Sequence, residues 1–297
     1  ELYENNLTGP IPSSIGHLIN LTTLYLCTNQ LSGSIPSEIG MLRSLDDLEL
    51  HENNLTGPIP PSIGHLTNLT TLYLYTNQLS GSIPPEIGML RYLDELELHE
   101  NKLTGPIPPS IGHLTNLTTL YLFLNQLAGS IPNEIGMLRS LIELDFSQNS
   151  LTGPIPPSIC YLANLTTLSL YQNRLSGSIP NEIGKLISLH YLELFDNNLN
   201  GPIPHCIGNL TSLTNLILSG NRLSGSLPKS IIHCTSLTRV RLENNQLTGH
   251  ISNFPCVFKK MIYTDMSNNK FYGELCRTWT QCSKLESFKI SGNNISG

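Results

Sequence analysis

The sequence predicts an α/β repeat solenoid, a single domain of about 12–13 stacked coils with a parallel sheet along one side. Three observations predict it. An asparagine returns every 24 residues, at Asn5, Asn29, Asn53, Asn77, Asn101, Asn125, Asn149, Asn173, Asn197, Asn221, Asn245, Asn269 and Asn293, with no insertion or deletion between them. A glycine follows four residues after each, from Gly9 through Gly153 to Gly297. Apolar residues hold fixed places in every coil, so a side chain that one coil cannot bury is covered by its neighbours.

One coil, LTTLYLYTNQLSGSIPPEIGML (Leu69–Leu90), justifies each element. Leu72 and Leu74 alternate with Tyr73 and Tyr75, the period of a short strand with one buried face. Asn77 follows at the turn. A buried amide both donates and accepts, so it can satisfy backbone groups inside the core, and stacked copies would form a ladder. Leu79, Ile83, Ile87, Leu90 and Leu93 then point inward. Pro84 has no N–H and a fixed φ, so it ends pairing and starts a bend.

Along the chain, Tyr3–Leu50 and His51–Leu98 differ at only seven positions, which marks a duplication of 48 residues. Strands therefore alternate between Thr71-Tyr73-Tyr75 and Glu95-Glu97-His99 types. From Leu151 to Pro228 the coils diversify but keep G-x-I-P or G-x-L-P. After Leu247 the pattern degrades. Ser252 and Cys276 replace the proline, and Phe254, Pro255, Phe258, Met261 and Met266 enter core positions, so the fold is expected to continue with altered packing. Both ends fall inside a coil, which reads as an uncapped slice of a longer protein.

Composition narrows the setting. Charged residues are 13% of the chain, and the formal charge of −6 argues against nucleic acid as a partner. No stretch approaches the ~18 apolar residues that cross a membrane. Eight N-x-S/T triplets, at Asn6, Asn20, Asn54, Asn68, Asn116, Asn164, Asn209 and Asn294, are glycosylation acceptors and point outside the cell. Seven cysteines leave at least one unpaired. Cys27 lies at an outward strand position, Cys160, Cys206 and Cys234 read as free buried thiols, and a disulfide among Cys256, Cys276 and Cys282 stays open.

A fixed period in this range with L-x-L-x-x-N-x-L is the leucine-rich-repeat signature. The fuller wording L-T/S-G-x-I-P-x-x-I-G-x-L-x-x-L, which covers nearly the whole chain, resembles the plant-specific form of that repeat. The resemblance implies a right-handed superhelix with a concave parallel sheet, a second short sheet at G-x-I-P, and short helical turns on the convex side. The segments SLTRVRLENNQLTG (Ser236–Gly249) and MSNNKFYGEL (Met266–Leu275) resemble receptor-like kinase ectodomains that sense small secreted serine-rich peptides. That implies a receptor at the extracellular face of the plasma membrane. A transmembrane helix and kinase would lie elsewhere in the parent, and a leucine-rich-repeat co-receptor kinase would be its partner.

The outward strand positions form columns of candidate peptide-binding residues: Tyr25, Glu49, His51, Tyr73, Tyr75, Glu97, His99, Tyr121, Phe123, Asp145, Tyr171, Glu193 and Phe195. Aromatics at exposed positions beside hydrogen-bonding groups are typical of binding hot spots, although tyrosine and phenylalanine also simply favour strands. Arg239 and Arg241 share one face of a strand after a long acidic run. Guanidinium groups hold carboxylates bidentately, and in the resembled receptors an R-x-R at this place grips the peptide's free C-terminus. The plainer alternative is two solvated arginines, or a pairing with Glu243. Nine coils at about 4.8 Å separate Tyr25 from Arg241, a span an extended peptide of roughly 13 residues would cover.

Catalysis fits poorly. His51 and His99 stand two coils, about 10 Å, apart, too far to share a zinc ion whose ligands lie about 2 Å from it. There is no phosphate loop and no G-x-S-x-G, and no cofactor is expected. The rival from another class is a secreted inhibitor of a microbial cell-wall enzyme, like the polygalacturonase inhibitors that share this repeat. An ice-binding array ranks last, because Thr70-Thr71 recurs only on alternate coils.

Overall fold

The computed structural model describes residues 1–253, 258–274 and 282–296. It divides into two compact units, Glu1–Leu151 and Thr152–Gly297.

In the first unit, six inner strands pair in parallel in chain order: Thr23–Tyr25, Asp47–Glu49, Thr71–Tyr73, Glu95–Glu97, Thr119–Tyr121 and Glu143–Asp145. Each residue faces its counterpart one repeat on, as Leu72 faces Leu96. A second parallel sheet is built from Thr8–Gly9, Gln30–Gly33, Asn54–Gly57, Gln78–Ser82, Lys102–Gly105 and Gln126–Ser130. The second unit repeats both layers. Its inner strands are Thr167–Ser169, Tyr191–Glu193, Asn215–Ile217, Arg239–Arg241, Tyr263–Asp265 and Ser287–Lys289. Its outer strands run from Arg174–Ser178 to Asn294–Ser296.

Among the described residues the helical turns are of the tighter 3-10 kind, ten of them five residues long, as at Pro85–Met89, and one, Ile251–Asn253, three. The preceding proline sets the entry: Pro84 sits at φ −68° and ψ 136°, extended backbone that its own ring favours. Five residues between a proline and the next core leucine leave no room for an α-helix. The core matches the sequence expectation. Leu72, Leu74, Leu79, Ile87, Leu90 and Leu93 have no exposed surface. In the degraded region Phe258, Met261 and Met266 are buried too, while Phe254, Pro255 and Cys276 lie outside the described residues.

The asparagine ladder is present in both units. The Asn101 Oδ1 accepts the N–H of Leu79 in the preceding coil at 2.9 Å. Its Nδ2 donates to the carbonyls of Leu74, Leu98 and His99 at 3.0, 3.2 and 3.1 Å. Asn221 makes the same four contacts with Leu199, Leu194, Leu218 and Ser219. One amide thus closes its own turn and ties it to the previous one. The residue before the ladder asparagine takes a left-handed conformation, from Thr28 at φ 53° to Asn268 at φ 55°, whatever its type.

Candidate ligand-binding face

In the first unit four successive outward positions two before the ladder asparagine, His51, Tyr75, His99 and Phe123, carry rings, and the rings stack. His51 lies on Tyr75 with centroids 4.3 Å apart and planes at 15°. Tyr75 lies on His99 at 4.5 Å and 8°, and His99 on Phe123 at 4.2 Å and 16°. Parallel strands set about 4.8 Å apart bring flat side chains close to stacking distance without further adjustment. This corrects the expectation of exposed aromatics. The rings cover one another's faces, so that His99 is buried and His51, Tyr75 and Phe123 are half-buried.

The next column is pinned as well. The hydroxyl of Tyr25 donates to Asp47 at 3.3 Å, that of Tyr73 to Glu95, and that of Tyr121 to Glu143. The sequence reading puts Glu95 in the strand pattern but leaves Asp47, Glu95 and Glu143 out of the candidate binding residues. The signal was there, in a tyrosine followed 22 residues later by an acid, three times over.

Glu49 and Glu97 stand beside histidines, with carboxylate oxygens 4.0 Å and 3.7 Å from the Nδ1 atoms of His51 and His99. Burial, then the charges of Glu95 and Glu143, push Glu97 up to about 7. Burial pulls His99 down to about 4. Glu49 is raised and His51 lowered for the same first reason. The floor is therefore less charged at mildly acidic pH than a count of its carboxylates suggests. Asp145 accepts the N–H of Ser147 at 2.8 Å.

In the second unit Tyr171 stacks on Phe195 at 4.3 Å and 8°. Glu193 accepts from the Ser169 hydroxyl at 3.2 Å. The two arginines differ. Arg241 is forked onto buried Glu243 through Nε at 2.9 Å and through Nη2, as the plainer alternative had it. Arg239 is exposed, and its guanidinium lies 5.1 Å from the Tyr263 ring. The ammonium of Lys289 lies 5.4 Å from that ring and 4.0 Å from Asp265.

All eight glycosylation acceptors are exposed: Asn6, Asn20, Asn54, Asn68, Asn116, Asn164, Asn209 and Asn294. Cys160 and Cys234 are buried free thiols as expected, Cys206 is half-buried, and Cys27 is buried although its strand position faces outward. Cys256 and Cys276 lie outside the described residues. His51 and His99 do not share a site, since Tyr75 lies between them. A different trio, Cys27, Glu49 and His51, brings three donor atoms within 4.8 Å of one another. Among the described residues no helix is long and apolar enough to cross a membrane.

Comparison with known proteins agrees with the geometry. A pattern for a leucine-rich-repeat region matches residues 4–127, and the leucine-rich-repeat pattern matches residues 140–162, 164–186, 188–210 and 212–234. The Arabidopsis receptor kinase HAESA, solved with the peptide hormone IDA and the co-receptor SERK1, is 36% identical at a TM-score of 0.85, over 100% of this chain and 54% of that one. The plant peptide hormone receptor RGFR1, solved with RGF2, is 36% identical at 0.78, over 99% of this chain and 55% of that one. A plant ice-binding protein is 34% identical at 0.67, over 76% of this chain and 73% of that one. The chain spans about half the length of the receptors it matches. No curated protein sequence matches it.

Proposed function

The chain belongs to the leucine-rich-repeat family, and we propose that it is the ligand-binding part of a plant receptor kinase, a part that performs no catalysis itself. It captures a small secreted peptide on its inner-strand face at the extracellular side of the plasma membrane. Capture then recruits a leucine-rich-repeat co-receptor kinase. The family likeness to receptors solved with peptide hormones supports this reading.

The observation that carries it is the state of Arg239. Its guanidinium is exposed, rests near an aromatic ring, and has no carboxylate partner among the described residues, whereas the neighbouring Arg241 is committed to Glu243. A free guanidinium offers donors in a planar fork that matches a carboxylate. Arg239 is thus the primary contact for a peptide's C-terminus, with Arg241 lending its charge. In the first unit, Tyr25, Glu49, His51, Tyr73, Tyr75, Glu97, His99, Tyr121, Phe123 and Asp145 form a rigid floor of ring edges and carboxylates, of which burial raises Glu49 and Glu97. Tyr171, Phe195 and Glu193 provide the matching surface of the second unit. The exposed sequons carry glycans.

The test is binding of a pool of secreted peptides, with free and with amidated C-termini, to the wild-type chain and to Arg239→Ala. A loss of at least tenfold, seen with the variant and again with the amide, is expected. Binders indifferent to both changes would overturn the anchoring role. Coding sequence beyond Gly297 tests the parent: a hydrophobic span of about 20 residues supports the receptor, and a cap with a stop codon supports the inhibitor.

A further inference from the structure

The duplication supplies an internal control. The pair Glu49 and His51 recurs as Glu97 and His99, in the same places on equivalent strands. In both copies the histidine Nδ1 is buried without a hydrogen-bond partner. The residue one coil earlier differs. The second copy places Tyr75 there, and its ring stacks on His99. The first copy places Cys27, whose thiol lies 3.6 Å from the Glu49 carboxylate.

We propose that Cys27, Glu49 and His51 form a binding site for one divalent zinc-like ion. The register makes the trio. Tyr25 pairs with Glu49 across adjacent strands, so the residues two further on, Cys27 and His51, are neighbours on the same face. Sulfur, nitrogen and oxygen are the donor set zinc takes, and three protein donors leave a fourth position open. A tetrahedral zinc shell, with bonds of about 2.0–2.3 Å, sets its donor atoms about 3.3–3.7 Å apart. Here Sγ to Oε2 is 3.6 Å, Nδ1 to Oε2 is 4.0 Å, and no pair of donors exceeds 4.8 Å. Small side-chain rotations close the difference.

The ion would give the orphaned His51 nitrogen a partner. On binding, the S–H bond breaks, a sulfur–metal bond forms and the proton goes to solvent, with no change of oxidation state. The Glu49 side chain is 24% exposed, so one side of the trio stays open. Water would fill the fourth position, or a side chain from whatever rests on this face. The site shares Glu49 and His51 with the proposed peptide floor, but its geometry does not depend on a peptide, so it would survive the failure of that reading.

The experiment adds Co²⁺ or Zn²⁺ to the full chain, kept reduced by a metal-free phosphine. Cobalt reports sulfur ligation by a thiolate charge-transfer band, and zinc affinity follows by competition with a chromophoric chelator. One equivalent is expected to bind with the thiolate band. Cys27→Tyr, which installs the residue of the second copy, removes the band and weakens binding by at least tenfold. His51→Asn weakens it similarly. Cys206→Ser, which installs the serine found at that place in the next coil at Ser230, changes nothing. Undiminished binding in Cys27→Tyr would overturn the proposal and move the ion to other cysteines. Absence of binding at micromolar zinc would also overturn it.

Discussion

The two units share one scaffold and present two different faces. Residues 1–151 carry a continuous stack of four rings beside carboxylates that burial has made reluctant to ionise. The described part of residues 152–296 carries the Tyr171–Phe195 pair, then small serines and paired charges around the exposed Arg239. Beneath both, the ladder asparagines make the same four hydrogen bonds. Stability is therefore repeated from coil to coil, and specificity resides in three outward positions per strand.

The largest effect tests the shared part. Asn101→Ala leaves the Leu79 N–H without its partner in the core, while the carbonyls of Leu74, Leu98 and His99 each lose one of two donors and keep Asn77, Asn125 and the Thr76 N–H. Each buried unsatisfied group costs on the order of 1–3 kcal/mol, and water entering the gap recovers some of it. We expect a loss of about 3 kcal/mol in denaturant unfolding, matched by Asn221→Ala in the other unit. A clear inequality between the two would mean the ladder does not contribute uniformly.

The next effect belongs to the first unit alone. The carboxyl of Glu97 binds its proton more tightly folded, at about 7, than at its ordinary value of 4.5. Its contribution is full below pH 4.5 and fades as pH rises towards 7. The imidazole of His99 does the opposite, since its folded value of about 4 lies below the ordinary 6.5. Its contribution is full above pH 6.5 and fades as pH falls towards 4. The two slopes oppose each other in the wild type, so single variants are needed. Glu97→Gln should gain stability relative to wild type as pH climbs from 5 to 7, on the order of 2 kcal/mol. His99→Gln should gain relative to wild type as pH falls over the same range. Parallel pH profiles for all three proteins would refute the assignment.

How far the faces were legible in sequence follows from what sets each feature. The 24-residue register, the ladder and the buried positions are periodic, and periodicity survives in a string of letters. The 3-10 turns were read only as helical, because turn type depends on how few residues separate Pro84 from Leu90. That the tyrosine hydroxyls engage Asp47, Glu95 and Glu143 depends on neighbouring coils being in register. The Cys27 trio needed the same register, which joins residues 22 and 24 positions apart. The stacking that hides ring faces depends on strand spacing, so half-buried rings looked like exposed ones. Pairing of Arg241 with Glu243 was one of two readings, and geometry alone could choose.

That choice leads to the third test. Arg241→Ala removes the partner of a buried carboxylate, yet the arginine side chain is itself 37% exposed, which reduces the effect. A loss of about 1–2 kcal/mol is expected, against less than about 0.5 kcal/mol for Arg239→Ala. Thermal unfolding of both variants, set beside their peptide affinities, separates a structural arginine from a recognising one. Equal losses in stability would make the two arginines alike.

The smallest effect returns to the scaffold. Leu124 and Gly220 hold the same place, one residue before a ladder asparagine, at φ 53° and φ 64°. A side chain in the left-handed region costs about 1–2 kcal/mol that glycine does not incur, partly offset by the greater freedom of glycine when unfolded. The Leu124 side chain is 39% exposed, so replacing it gives up little packing. Leu124→Gly should stabilise the chain by about 0.5–1 kcal/mol. Gly220→Ala should lose at least as much, because a Cβ there would come within 2.1 Å of the Asp196 carboxylate, which must turn away. Calorimetry of the two variants reads opposite shifts if backbone strain governs this position. Shifts of one sign would place its energetics in side-chain contacts instead.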